Sequence, residues 1–191
     1  MGKSTVSKQF AALGAKTASA DDFVHYLMNY DKNVFSEIAQ HFPSAILSCH
    51  PALVAGSGDK KIDRKILGKI VFADCEKRKI LEKILHPRVW ELEEKFVAKQ
   101  QCLGAKLVVL DIPLLFETGA EKRMDYTVAV TAPKFIQRRR VLARAGMTPE
   151  KFEQIAKSQM PDLEKCKRAD FVVPTGLGKA YSFRAVKEII T

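Results

Sequence analysis

Lys106-Leu-Val-Val-Leu-Asp111 is an unbroken apolar run that follows Gly104 and stops at a carboxylate. A strand with one face in water alternates polar and apolar residues; a run without that alternation is buried on both faces, as in parallel sheets. Tyr126-Thr-Val-Ala-Val-Thr131 is a second such run, and Phe171-Val172-Val173 is a shorter third. Ala15 to Ala20 reads as another short strand. Helical stretches separate them: Lys3 to Ala12, ended by Gly14; Asp21 to Tyr30; Val34 to Phe42, followed by Pro43; Phe135 to Arg144; Pro149 to Gln159; and Lys179 to Ile190. Strands alternating with helices predict an α/β fold, a parallel sheet flanked by helices on both faces.

Working outward, Gly56-Ser57-Gly58-Asp59 reads as a loop, and residues 59–101 carry helical patterns with no strand. Helices are expected over Arg64 to Ala73 and Glu76 to Gln101. His86-Pro87 should kink the second or split it in two, because proline removes a helical N–H and its ring crowds the preceding turn. The expected organisation is one domain over residues 1–191, with a helical insertion lobe at 59–101 and a helical lid at 134–160.

The 191 residues are 47% hydrophobic and 28% charged, the balance of a chain with a real core. Lysine and arginine exceed aspartate and glutamate by 32 to 22, a formal charge of +10. That excess favours an anionic partner: nucleotide, coenzyme, nucleic acid or acidic membrane. Cys49, Cys75, Cys102 and Cys166 are widely spaced, so neither a zinc site nor a disulfide framework is signalled. Reduced thiols in the cytoplasm are expected. No apolar run approaches a membrane span of about 18 residues, and Met-Gly-Lys-Ser-Thr is no secretory leader.

Gly2-Lys3-Ser4-Thr5 carries the chemistry. In G-x-x-x-x-G-K-[ST] the loop N–H groups cradle phosphates, the lysine reaches the outer phosphates and the hydroxyl holds Mg²⁺. A helix starting there aims its positive end at the anion. Only the second half of the pattern is present. A first glycine, three loop residues and a strand would lie upstream of Met1. The true start is therefore expected about a dozen residues upstream; the alternative is a truncated, inactive copy.

Several segments together resemble dephospho-coenzyme A kinases over essentially the whole chain. They are Gly2-Lys3-Ser4-Thr5-Val6 with Phe10-Ala-Ala-Leu-Gly14; Ser19-Ala20-Asp21 with His25 and Leu27; Asp63-Arg64, Leu67 and Val71-Phe72; and Leu85-His86-Pro87. Asp111-Ile-Pro-Leu-Leu-Phe-Glu117 is the most specific. Asp125, the run Val128 to Thr131, Gln137, Arg140, Arg144, Gln159, Ala169-Asp170 and Thr175-Gly176 continue the match. Departures are the halved phosphate loop, the absent first strand, Ser19 for the first aspartate of D-A-D, and Ala145 for an aspartate after the lid arginine.

The resemblance implies a P-loop fold and transfer of the ATP γ-phosphoryl group to the ribose 3′-hydroxyl of dephospho-CoA. Such transfer needs in-line positioning and cations around the moving group. Gly2, Lys3, Ser4 and Thr5 would bind the ATP phosphates, with Lys3 catalytic; Thr175 and Gly176 would lie near the adenine. Ser4 and Asp111 would hold Mg²⁺, although Asp111 also reads as a turn cap before Pro113.

Asp21 would orient or deprotonate the acceptor hydroxyl; its bland reading is a helix cap. Arg140 and Arg144 lie four apart on one helix face and would spread transition-state charge. A solvated basic face is the ordinary meaning of such a run. Arg64 and His86 would belong to the acceptor lobe, as Arg88 would if it meets the acceptor's phosphates. Leu114 and Leu115, with Phe116, would wall the pantetheine arm or simply pack the core. Glu117 either orients the acceptor or pairs with Lys122.

The partners implied are ATP and dephospho-CoA, with no nucleic acid and no membrane, in a monomer or small homo-oligomer. Two alternatives stand beside this reading. One is a nucleoside or nucleotide kinase, disfavoured by the P-L-L-F-E and H-P segments. The other is a basic, non-catalytic binding protein, for which no helix-turn-helix, zinc or RNA-stacking signature speaks.

Overall fold

A computed structural model describes residues 2–47, 61–143 and 146–191. The loop expected at 56–59, Cys49 and Arg144 lie outside them. The chain forms two compact units: one of residues up to Thr17 and from Leu103 onward, the other Ala18–Cys102.

The first unit opens with α1 (Lys3–Ala12), which buries Val6, Gln9 and Phe10. Gly14, at φ 96°, turns the chain into β1 (Lys16–Ser19). That left-handed backbone suits a residue without Cβ.

The second unit is helical. It contains α2 (Ala20–Tyr30), α3 (Lys32–His41), β2 (Ile46–Leu47), β3 (Lys61–Ile62), α4 (Arg64–Ala73) and α5 (Cys75–Cys102). Aspartates open three of the helices. Asp31 Oδ1 accepts from the Asn33 and Val34 N–H groups, Asp63 Oδ1 from Lys65 and Ile66, and Asp74 Oδ1 from Glu76 and Lys77. Each such cap stabilises its helix by about 1 kcal/mol. Leu27, Val34, Ile38, Phe42, Leu67, Ile84, Leu85 and Val89 form the core. Val34 and Ile38 are fully enclosed, each worth about 1.5–3 kcal/mol of burial.

One expectation is corrected here. Residues 59–101 do contain a strand: β3 pairs antiparallel with β2, Ile46 opposite Ile62. Of the two outcomes expected at His86-Pro87, the split does not occur: α5 is one helix of 28 residues that runs through Pro87. The proline leaves the Lys83 carbonyl without its helical N–H. One residue on, the Arg88 guanidinium donates to the Ile84 carbonyl at 2.8 Å, and the packed Ile84–Leu85–Val89 face holds the helix together.

The chain returns to the first unit with β4 (Val108–Asp111), β5 (Val128–Thr131), α6 (Lys134–Leu142), α7 (Pro149–Ser158), α8 (Asp162–Arg168), β6 (Phe171–Pro174) and α9 (Lys179–Ile190). β4 pairs with β1, the Lys16 N–H reaching the Leu107 carbonyl at 2.9 Å. β5 and β6 are parallel, with Val128 opposite Phe171 and Thr131 opposite Pro174. Val6, Phe10, Ala15, Val173 and Val186 form the core, flanked by Val109, Val128, Val130 and Ile189. Gln9 locks α1 to α9 by donating to the Lys179 carbonyl and the Ser182 hydroxyl, at 2.9 and 3.0 Å. The α/β expectation is met, with helices on the parallel strands. The short α8 was not anticipated; seven residues are too few to show an apolar period.

Candidate active site

The Gly-Lys-Ser-Thr stretch forms the N-terminus of α1. Gly2 is its N-cap at φ 109°, and no acidic residue occupies the first turn. The Gly2 carbonyl accepts the first helical bonds, from Thr5 and Val6, both at 3.0 Å. The turn therefore presents the positive end of a helix, uncompensated by a carboxylate in its own first turn.

Lys3 and Asp111 are 108 positions apart in the chain, yet the fold pairs them. Lys3 Nζ lies 3.4 Å from Asp111 Oδ1, with Asp111 only 15% exposed. Asp111 ends β4, the strand end at which open α/β sheets bind ligands. Ser4 is exposed on the same turn as Lys3. A hydroxyl and a carboxylate oxygen are the hard donors that Mg²⁺ takes alongside phosphates and water. Among the described residues no cluster of three His, Cys, Asp or Glu gathers for a metal.

Behind this turn lies Thr175, 6% exposed, in the loop after β6. Its N–H donates to the Thr131 carbonyl at 2.8 Å and its hydroxyl to the same carbonyl at 3.0 Å. Arg140, exposed on α6, donates to the Thr175 hydroxyl and carbonyl at 3.0 and 2.8 Å. Gly176 packs on Pro133 so closely that a Cβ would fall 2.6 Å from the proline Cδ. The structure thus brings Gly2, Thr175, Gly176 and Arg140 together, and pairs Lys3 with Asp111.

The Pro-Leu-Leu-Phe-Glu segment makes a tight turn after β4. Leu114 has φ 57°, unusual for a branched side chain, and is exposed; Leu115 is half-buried and Phe116 buried. Arg168 lies over the Phe116 ring, 5.0 Å from its centroid. Glu117 pairs with Lys165 of α8 at 2.8 Å, not with Lys122, and accepts the Met160 N–H at 3.0 Å. Burial alone would raise the Glu117 pKa, but those hydrogen bonds and the Lys165 charge outweigh it and hold the carboxyl below its ordinary value. Glu121 pairs with Arg168 at 2.6 Å, so two ion pairs fasten this segment to α8.

In the second unit Asp21 is exposed in the first turn of α2. The N-cap is Ser19, so Asp21 does not cap the helix. Arg64 is the exposed first residue of α4, next to its cap Asp63. His86 is half-buried on α5 and stacks on Trp90, ring centroids 6.0 Å apart. Arg88 joins α5 to α3 through Glu37 at 2.5 Å.

Sequence reasoning missed Lys165, which is important only through a partner distant in the chain and belongs to no local pattern, and it met Thr131 only as the end of an apolar run. Asp170 was noticed only as part of a resemblance. Its Oδ2 accepts both the N–H and the hydroxyl of Thr127 at 2.7 Å, which ties the start of β6 to β5.

A helix-terminal Gly-Lys-Ser-Thr turn, beside a strand-end aspartate in an α/β unit, defines a protein of the P-loop class. Comparison with known proteins narrows this. The family model described as dephospho-CoA kinase matches residues 1–177. The dephospho-CoA kinase of Rhizobium etli is 44% identical over 190 residues, covering 100% of this chain and 87% of the relative. That of Agrobacterium fabrum is 42% identical, covering 100% and 91%. Among solved structures, a crystal structure from Thermus thermophilus matches with TM-score 0.81 at 32% identity, covering 99% of this chain and 90% of that one. The dephospho-CoA kinase of Campylobacter jejuni matches with TM-score 0.67 at 29% identity, with the same coverage. The chain belongs to the dephospho-CoA kinase family.

Proposed function

We infer that this protein transfers the γ-phosphoryl group of ATP to the 3′-hydroxyl of the dephospho-CoA ribose, forming CoA in the last step of its biosynthesis. One observation carries the ATP half of the reading: Lys3, on the positive end of α1, lies 3.4 Å from the strand-end Asp111. Family membership carries the choice of acceptor. The described residues contain no helix long and apolar enough to cross a membrane. Three described cysteines are free thiols, which supports the cytoplasm as the place of reaction.

In this mechanism the N–H groups of the α1 turn and Lys3 bind the phosphates. When ATP enters, Lys3 exchanges Asp111 for phosphate oxygens, which frees the carboxylate. Ser4 and Asp111 are the residues that would hold Mg²⁺, which neutralises charge on the phosphates. Asp21 orients the acceptor hydroxyl and takes its proton. Arg64 and His86 serve the acceptor lobe of residues 59–101, with Leu114 and Leu115 as apolar wall for the pantetheine arm. Glu117 sets the position of that wall through Lys165 and Met160. Residues 134–160 form the lid, and within it Arg144 meets the transferred phosphoryl group.

The test is ATP consumption with Mg²⁺ and dephospho-CoA, with the product phosphate located on the ribose. Turnover should require dephospho-CoA and vanish with a 3′-deoxy analogue. Preferred turnover of a nucleoside or nucleoside monophosphate would overturn the acceptor assignment.

A further inference from the structure

Arg140 was expected to touch the phosphoryl group, but its guanidinium is engaged elsewhere. One arm donates to the Thr175 hydroxyl at 3.0 Å and the other to the Thr175 carbonyl at 2.8 Å. The hydroxyl has a single hydrogen, which goes to the Thr131 carbonyl at 3.0 Å; its lone pairs therefore receive Arg140. Thr175 is thus held on one side by β5 and on the other by α6.

Thr175 also meets Gly2. A Cβ built on Gly2 would lie 3.1 Å from Thr175 Oγ1, 3.2 Å from Cγ2 and 3.3 Å from Cβ. The backbone of Gly2 therefore rests on this side chain. Gly2 in turn supplies the carbonyl that accepts the Thr5 and Val6 N–H groups. Any shift of Thr175 is passed to the first turn of α1, whose N–H groups and Lys3 bind phosphate.

We propose that Arg140 is a positioning residue: it acts through Thr175 on the backbone of Gly2 and so sets the phosphate-binding turn, instead of contacting the transferred group. The proposal rests on reading the α1 terminus as the ATP phosphate site. Lysine cannot replace the arginine, since the two-pronged donation needs a planar fork.

The test is a double-mutant cycle read on ATP affinity by calorimetry, which needs no turnover. The variants are R140K, T175V and R140K/T175V, with T175S as the variant that keeps the hydroxyl. R140K and T175V should each weaken ATP binding about tenfold, the scale of one charge-assisted hydrogen bond. The double variant should bind no more weakly than the worse single, because both break one linkage. T175S should bind more tightly than T175V, which separates the linkage from a general folding defect. In turnover, KM for ATP should rise more than kcat falls.

Losses that multiply in the double variant would show Arg140 and Thr175 acting independently and overturn the proposal. So would an R140K enzyme with normal ATP affinity and a lowered kcat. A wild-type protein that binds ATP yet leaves dephospho-CoA untouched would remove the functional reading, while the cycle would still decide this one. Failure of the wild type to bind ATP overturns both.

Discussion

Replacing Gly176 by alanine places a methyl carbon 2.6 Å from Cδ of Pro133, 3.3 Å from its Cγ and 3.5 Å from Ile136 Cδ1. Carbon atoms rest about 3.5–4.0 Å apart, so the turn and the proline ring must separate by about 1 Å. The obstacle is a ring closed onto its own backbone, at the residue that opens α6, and it cannot swing aside as a flexible side chain would. Overpacking of this kind costs about 1–3 kcal/mol. For a chain of 191 residues, with about 2–4 °C per kcal/mol at this size, the midpoint of thermal unfolding should fall by about 2–12 °C. ATP affinity should fall with it, since Thr175 moves with its neighbour. G68A is the control. Gly68 lies inside α4 with nothing within 4 Å of a built Cβ. Alanine there should stabilise by about 0.5–1 kcal/mol through helix propensity. Calorimetric scans of both variants beside the wild type read the two signs. A G176A protein that melts at or above the wild-type midpoint would refute the packing argument.

Lys3→Met should lower kcat/KM by about 10²–10³-fold, the scale of losing one preorganised donor to a transition state. It should scarcely change the melting midpoint, because the Lys3–Asp111 pair is 45% exposed on the lysine side and such pairs are worth about 0–1 kcal/mol. Asp21→Asn should reduce kcat by about 10²–10⁴-fold, the range for general acid–base groups, with ATP affinity held; unchanged turnover would return Asp21 to a surface role. Glu117 stays ionised in the folded protein at pH values where the unfolded chain binds a proton. Its stabilisation is therefore present above the unfolded value, about 4.3, and is lost as pH falls through the lower folded value. E117Q should flatten the decline of denaturation free energy with falling pH in that acid range; an identical pH slope in the variant would contradict the Lys165 and Met160 linkage.

The elements legible in the sequence are those that depend on near neighbours. Apolar runs without alternation marked β4, β5 and β6, although β4 is only half-buried along its length and Val172 of β6 is exposed. Gly2-Lys3-Ser4-Thr5 marked the start of α1 and its anion-binding end, since a helix terminus is made by its own first residues. The quoted motifs also marked the family. Short or interrupted pieces were not legible. β3 is two residues long and exists by pairing with β2, and α5 passes Pro87 because its apolar face is packed.

The partners of the charged side chains were decided only by the tertiary structure. Asp111 could as well have been a turn cap as the neighbour of Lys3, and Glu117 could have met Lys122 instead of Lys165. Arg140 could have been a phosphoryl-facing charge or part of a solvated basic face, and the fold sets it against Thr175. An ion pair or hydrogen bond forms within about 3–4 Å, and those distances are set by how strands and helices pack. Residue type and spacing establish what each group can do; the fold chooses the partner with which it does it.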